Sequence, residues 1–338
     1  MSSGLPQFVN ICSCGSSGST LVARALDRHP DIACGDEMFL FSTPLLYEDY
    51  ARYRQWARVG FHLGVSANPY HQGRALFRNA AAYGLRRSML LKWSQEAEDF
   101  PELALRIRDH VLARTGKKLW AEKTPRNIRA IAQFVEMFPE ARVIHIVRDP
   151  RDVICSLMGR SKTAANAIES WLGSVSTIQP LAGHGNVRQV RYEDLCREPE
   201  RVMGELFDFL GVSTDTSCLF SDQGASRELG QMKDHQSWGL TPGKGFSTKS
   251  IGRHREHDVP WDRVMAYRLT ERYAGLLGTK QWSLHELAQA YGYEVEPPAE
   301  VAEYHPADLR WKIGALRRFM DRRMGMQSYF PMVEGPEV

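Results

Sequence analysis

Residues 8–28, "FVNICSCGSSGSTLVARALDR", constrain the fold more than any other stretch of the chain. An apolar run, Phe8–Ile11, gives way to small residues and then to a helical pattern, which reads as strand, tight loop and helix N-terminus. Gly15 and Gly18 let the backbone turn so that consecutive N–H groups face one anion. Ser16, Ser17, Ser19 and Thr20 add hydroxyl donors, and the following helix brings the positive end of its dipole to the same place. A nucleotide-hydrolysing loop would read G-x-x-x-x-G-K-[ST]. No lysine precedes Ser19 or Thr20, so magnesium-dependent ATP chemistry loses support. The competing reading is a small-residue turn packed under a helix.

The rest of the chain repeats the strand–helix alternation. Strands are expected at Phe8–Ile11, Leu119–Ala121, Arg142–Val147 and Val187–Arg191. Helices are expected at Ser19–Arg28, Arg126–Phe138, Arg151–Met158, Thr163–Ile178, Glu200–Leu210, Trp261–Leu277 and Leu284–Tyr291. That order predicts an α/β fold of P-loop type, a central parallel sheet flanked by helices, with ligands beyond the carboxyl ends of its strands. Residues 1–295 form the α/β domain in this reading. It carries a helical acceptor-side insertion at about 44–115 and a polar loop at about 213–258 that orders on ligand binding. Residues 296–338 form a C-terminal helical extension. Its Leu309, Ile313, Leu316 and Met320 share one helical face, with Arg310, Lys312, Arg317, Arg318, Arg322 and Arg323 on the others.

Composition narrows the partners. With 338 residues and a net charge of +3, nothing marks a nucleic-acid binder, although a local basic pocket for a small anion fits. The six cysteines contain no C-x-x-C pair and read as reduced thiols; a metal site through Cys12, Cys14 and Cys34 lacks a spacing motif. The N-terminus lacks a signal-peptide pattern, and no apolar run approaches the roughly 20 residues of a membrane span. A cytoplasmic location is therefore expected.

In "VIHIVRDPRDVICSL", Arg148 emerges at the end of a buried strand and Pro150 suits the first turn of the next helix. Arg148 and Ser156 can both reach one phosphate there, and a guanidinium fork matches phosphate oxygens well. The bland alternative is a surface network of Arg148 or Arg151 with Asp149 or Asp152.

These motifs carry a resemblance. "GSSGSTL", "LDRHPDIACGDE", "EKTP", "VRDPRDVICS" and "RYEDL", in this order over about residues 8–211, look like a sulfotransferase that uses PAPS (3′-phosphoadenosine 5′-phosphosulfate). "STKSIGRHRE" matches more weakly. The stretch from Gly15 to Glu37 most resembles tyrosylprotein and carbohydrate sulfotransferases.

The resemblance implies that Gly15, Ser16, Ser17, Gly18, Ser19 and Thr20 bind the 5′-phosphosulfate. Arg148 and Ser156 would bind the 3′-phosphate, Tyr192 the nucleotide near its adenine, and Arg253 a further phosphate oxygen. Many relatives carry a basic residue where this chain has Ser16, and Lys123 is the expected substitute cation; its bland reading is a pair with Glu122. Glu37 is the implied general base, with Asp36, His29 and His145 as rivals and a purely structural "GDE" as the alternative. No metal is required in this reading.

The acceptor is a small molecule, carbohydrate or peptide offering a hydroxyl or amine, with Arg52, Tyr53, Arg54, Trp56 and Arg58 as candidate pocket residues. The missing signal and anchor argue against a Golgi-type enzyme. Two other readings stay open: a P-loop-like small-molecule kinase, and a nucleotide-binding relative without activity.

Overall fold

The computed structural model describes residues 5–42, 44–52, 54, 80–160, 163–221, 225–226, 229, 246–299 and 333–334. The chain divides into two compact units. The first holds residues up to Ser13, Gly18–Ile146 and Gly183–Thr248; the second holds Cys14–Ser17, Val147–Ala182 and the residues from Lys249 onward.

The first unit is built on a five-stranded parallel sheet with strands β1 (Val9–Ser13), β2 (Ile32–Cys34), β3 (Leu119–Lys123), β4 (Arg142–Val147) and β5 (Val187–Arg191). Their order across the sheet is β2-β3-β1-β4-β5. Strand β1 pairs in register with β3 (Ile11 opposite Lys123) and with β4 (Ser13 opposite Ile146), so these carboxyl ends share one edge. Strands β1 and β3 are buried along their whole length, as expected for a parallel sheet covered on both faces. Helices α1 (Ser19–Asp27) and α4 (Phe100–Thr115) lie against it, as does a 3-10 turn, Pro125–Ala130. An aromatic cluster fills the core: Phe8 meets Phe138 at 5.0 Å and Phe41 at 5.3 Å, and Phe41 meets Phe134 at 4.8 Å.

Two sequence expectations shift here. Strand β2 was not expected; its three residues pair with Leu119–Ala121 on one side. The expected helix Arg126–Phe138 is a 3-10 turn followed by α5 (Ile131–Met137), with Pro125 opening the turn. Within the 44–115 insertion the described helices are α2 (Pro44–Glu48), α3 (Arg87–Glu96) and α4. Arg54 stacks on Tyr50 at 5.6 Å and Arg52 is exposed, whereas Tyr53, Trp56 and Arg58 lie outside the described residues. In the first unit the chain after β5 forms helices α8 (Tyr192–Arg197) and α9 (Pro199–Leu210).

The second unit packs α6 (Pro150–Met158) and α7 (Ala164–Ile178) around Trp171, Leu172 and Val175, joined by Val264, Leu269, Leu284 and Leu287. The expected helix Trp261–Leu277 is broken into α10 (Trp261–Met265) and α11 (Glu271–Leu276) by a short strand, β6 (Arg268–Leu269). The break has a local cause. Thr270 caps the second helix by accepting from Tyr273 N, which requires extended backbone ahead of it. Strand β6 pairs antiparallel with β7 (Val333–Glu334). Helix α12 (Leu284–Ala290) starts with a capping box between Ser283 and Glu286.

Residues 222–224, 227–228 and 230–245 of the 213–258 loop, and most of the 296–338 extension including its basic helical pattern, lie outside the described residues. No helix among the described residues is long and apolar enough to cross a membrane.

Candidate active site

Strand β3 ends in Glu122 and Lys123, with Thr124 directly after it; all three are polar and buried. The Lys123 ammonium, 3% exposed, donates to Glu37 Oε1 at 3.1 Å, while the Glu37 side chain keeps a third of its surface open. Lys123 thus pairs with Glu37, and its sequence neighbour Glu122 is engaged elsewhere. Glu122 accepts from Met38 N at 3.0 Å, from Thr124 Oγ1 at 2.6 Å and from Asn127 Nδ2. Burial pushes its carboxyl pKa up, only partly opposed by those donors and by Lys123. Thr124 Oγ1 in turn accepts from Phe39 N at 3.0 Å. Phe39 has a left-handed backbone, φ 62°, a conformation that costs a bulky residue on the order of 1–3 kcal/mol unless its surroundings enforce it. On the other flank, the Tyr83 hydroxyl donates to the Asp36 carbonyl.

The small-residue loop runs from Cys14 to Gly18. Ser16 takes a positive φ of 69° and Gly18 one of 98°, so the loop's two turns rest on a serine and a glycine. The hydroxyls of Ser16 and Ser17 are buried without a hydrogen-bond partner, as is that of Ser13 at the end of β1. Buried polar groups are almost always paired, and an anion would pair these. No side chain caps α1, which starts directly after Gly18, with Ser19 buried and Thr20 half-buried. The Ser16 and Ser17 hydroxyls are thus donors without acceptors, which suits an anion. In the first unit the Tyr192 ring lies so close over Gly18 that a Cβ there would overlap it. Tyr192 is 8% exposed and starts α8, which the sequence reading had not placed.

In the second unit, Arg148 is 7% exposed and donates to Ser16 O at 3.1 Å and to Ser250 O. Its backbone carbonyl accepts from Trp171 Nε1 at 3.0 Å, and Asp152 pairs with it at 3.5 Å. Asp152 also accepts from Gly252 N at 2.8 Å, and from His254 N and Nδ1 at 2.9 Å each. Burial pushes the Asp152 carboxyl up, but the His254 side-chain and backbone bonds, Arg148 and Gly252 outweigh it and leave the pKa lowered. The two arginines of "RDPRD" are therefore sorted: Arg151 takes Asp149 and Glu296, while Arg148 takes backbone carbonyls and Asp152. Ser156 is half-buried on α6 and Arg253 is exposed; among the described residues neither is hydrogen-bonded to Arg148.

The rival bases sit elsewhere. His29 Nε2 meets Ser213 O at 3.0 Å, its Nδ1 accepts from Asp31 N, and the ring packs on Phe207. His145 is buried in β4, where desolvation pushes its pKa down to about 3. Cys12, Cys14 and Cys34 are buried and form no disulfide, and burial raises the pKa of Cys12 and Cys34. Among the described residues no group of three or more metal-type ligands occurs.

The sequence reading missed Glu122 and Thr124 as partners of the Glu37 segment, and Asp152 as the anchor of residues 252–254. "EKTP" and "RDPRDV" contain them, but their partners are 84, 85 and about a hundred positions away in the chain.

A five-stranded parallel sheet flanked by helices, with a small-residue loop after its first strand, defines a P-loop-type fold. The model of the sulfotransferase family matches residues 7–216, and the chain belongs to that family. Among curated relatives, it is 23% identical over 220 residues to protein-tyrosine sulfotransferase 1 of Danio rerio, covering 61% of this chain and 54% of that protein. Protein-tyrosine sulfotransferase A of Caenorhabditis elegans is 22% identical over 235 residues, covering 66% and 54%. The chain spans about half the length of these relatives. Among solved structures, the sulfotransferase domain from the Synechococcus PCC 7002 olefin synthase superposes with a TM-score of 0.59 at 21% identity, covering 86% of this chain and 95% of that one. The sulfotransferase domain from the curacin biosynthetic pathway gives 0.53 at 19% identity, covering 86% and 99%. At such identities the likeness is one of fold.

Proposed function

We propose that the protein transfers a sulfuryl group from PAPS to a hydroxyl or amine of an acceptor. The observation that carries the reading is the Lys123–Glu37 pair, a buried ammonium and a carboxylate one third open, held 3.1 Å apart at the carboxyl end of β3. In this reading Glu37 takes the proton of the attacking hydroxyl as the acceptor O–S bond forms. The S–O bond to the donor phosphate breaks, and the electron pair goes to the bridging oxygen, which Lys123 steadies. As in phosphoryl transfer, in-line positioning and charge stabilisation do most of the work. Gly15, Ser16, Ser17, Gly18, Ser19 and Thr20 hold the 5′-phosphosulfate through backbone N–H groups and the hydroxyls that lack partners. Arg148, Ser156 and Arg253 serve the 3′-phosphate, and Tyr192 the nucleotide base. Such a donor needs no Walker lysine, consistent with Ser19 following Gly18 in the loop.

The test is a thermal-shift series in metal-free buffer with PAP, AMP and ATP, and with ATP plus Mg²⁺, followed by mass spectrometry for sulfated products after incubation with PAPS and an acceptor panel. Selective stabilisation by PAP and a product gaining SO₃ are expected. Selectivity for ATP–Mg²⁺ overturns the reading in favour of a kinase. PAP binding without product on any acceptor class leaves a nucleotide-binding relative.

A further inference from the structure

Resting on that reading, we infer that Glu122 and Thr124 are positioning residues that fix the Glu37 base from behind. Three consecutive residues, the last two of β3 and the one directly after it, engage three consecutive residues of the segment after β2. Lys123 Nζ meets the Glu37 carboxylate at 3.1 Å. Glu122 Oε1 accepts from Met38 N at 3.0 Å, and Thr124 Oγ1 accepts from Phe39 N at 3.0 Å. The two N–H groups that follow Glu37 are thus both held by side chains at the carboxyl end of β3 and just beyond it, and the left-handed turn at Phe39 sits inside this clasp.

The chemistry of the clasp is specific. The Thr124 hydroxyl accepts from Phe39 N and gives its own proton to Glu122 Oε1 at 2.6 Å. The other Glu122 oxygen accepts from Asn127 Nδ2, which also donates to Asn10 Oδ1 at 2.9 Å. Glu122 therefore faces three donors, a task for an acceptor-only group. A glutamine there would turn an NH₂ toward one of them. A fully buried carboxylate is costly, and an apolar residue could fill the space. What the carboxylate supplies is a fixed position for the backbone at 38–39 and hence for the neighbouring base.

The test is kinetic. Turnover is read as PAP release from PAPS, with the acceptor returned by the product screen or, where none is returned, with water. Glu122→Gln and Thr124→Val are each compared with wild type, alone and combined with Glu37→Gln, and PAP affinity is measured for every variant. Misplacing a reacting group by about 1 Å costs on the order of 10²-fold, so kcat should fall about 10- to 100-fold in each single variant. PAP affinity should stay within about threefold, and Thr124→Ser, which keeps the bridging hydroxyl, should restore most of the rate. In the Glu37→Gln background the further loss should shrink to about threefold or less, because the clasp acts through the group already removed.

Additive losses, unchanged kcat, or PAP affinity falling in step with kcat would each overturn the positioning role. Glu37→Gln with wild-type turnover would instead sink the base assignment on which it rests. Should Glu122→Gln fail to fold, the Thr124→Val and Thr124→Ser pair decides alone.

Discussion

At the scale of single residues, the pair Lys123–Glu37 and the buried His145 lead to separate expectations. Glu37→Gln keeps the shape of the side chain and removes its basicity. General-base assistance is worth about 10²–10⁴-fold, so kcat should fall by that range while PAP affinity, measured by calorimetry, stays nearly constant. His145 is fully buried in β4, and desolvation lowers its pKa to about 3. The unfolded chain takes up a proton at this residue below about pH 6.5 and the folded chain does not. Its contribution is therefore present above pH 6.5 and is lost as pH falls toward 3, at up to about 1.4 kcal/mol per pH unit. Urea-unfolding midpoints measured between pH 7 and pH 4.5 should drop for wild type and drop less steeply for His145→Gln; parallel slopes would remove His145 from the account. Neither residue's environment could be read from its neighbours in sequence. The Lys123 partner is 86 positions away, and burial rather than adjacency decided between Glu37 and Glu122.

At the scale of elements, the turn joining β1 to α1 carries the clearest structural expectation. Gly18 combines a φ of 98° with a Tyr192 ring where a Cβ would go. Gly18→Ala should therefore destabilise by about 1–3 kcal/mol, read as a lowered thermal midpoint. The double variant Gly18→Ala/Tyr192→Ala should recover the steric part and leave the backbone part, a result a pure packing account would not give.

The glycines and serines of this loop were legible in the sequence because small residues between an apolar run and a helical pattern have few other uses. The long buried strands were legible for the same kind of reason. Strand β2 was not: three residues between Asp31 and Gly35 are too short a pattern to distinguish from a loop. The break at Arg268–Leu269 was hidden because helical spacing continues across it, and the cap at Thr270 overrides that spacing. Of the candidate site, residue types were legible; which groups would be held already, as Arg148 is by Ser16 O and Ser250 O, was not.

At the scale of the whole molecule, each unit has its own core, one of edge-to-face Phe rings around Phe41 and one around Trp171. Phe41→Ala should cost about 3–5 kcal/mol, measured by denaturant unfolding, since Phe41 touches Phe8, Phe100, Phe134 and Phe138 at once. Ligand linkage acts in the opposite direction. If PAP binds the folded protein alone, saturation at a hundredfold excess over Kd adds about 2.7 kcal/mol, enough to offset much of that loss. A Phe41→Ala protein that PAP fails to stabilise, beside a wild type that it does, would place the damage at the donor site as well as in the core.

The left-handed turn at Phe39 has a practical consequence for re-engineering the segment after β2. Residues 35–39 cannot be exchanged as an independent cassette, because their shape is dictated by Tyr83, Glu122 and Thr124, which lie far along the chain. A graft from a relative would have to import all three dictating side chains together with the segment, or the transplanted carboxylate would arrive without an address.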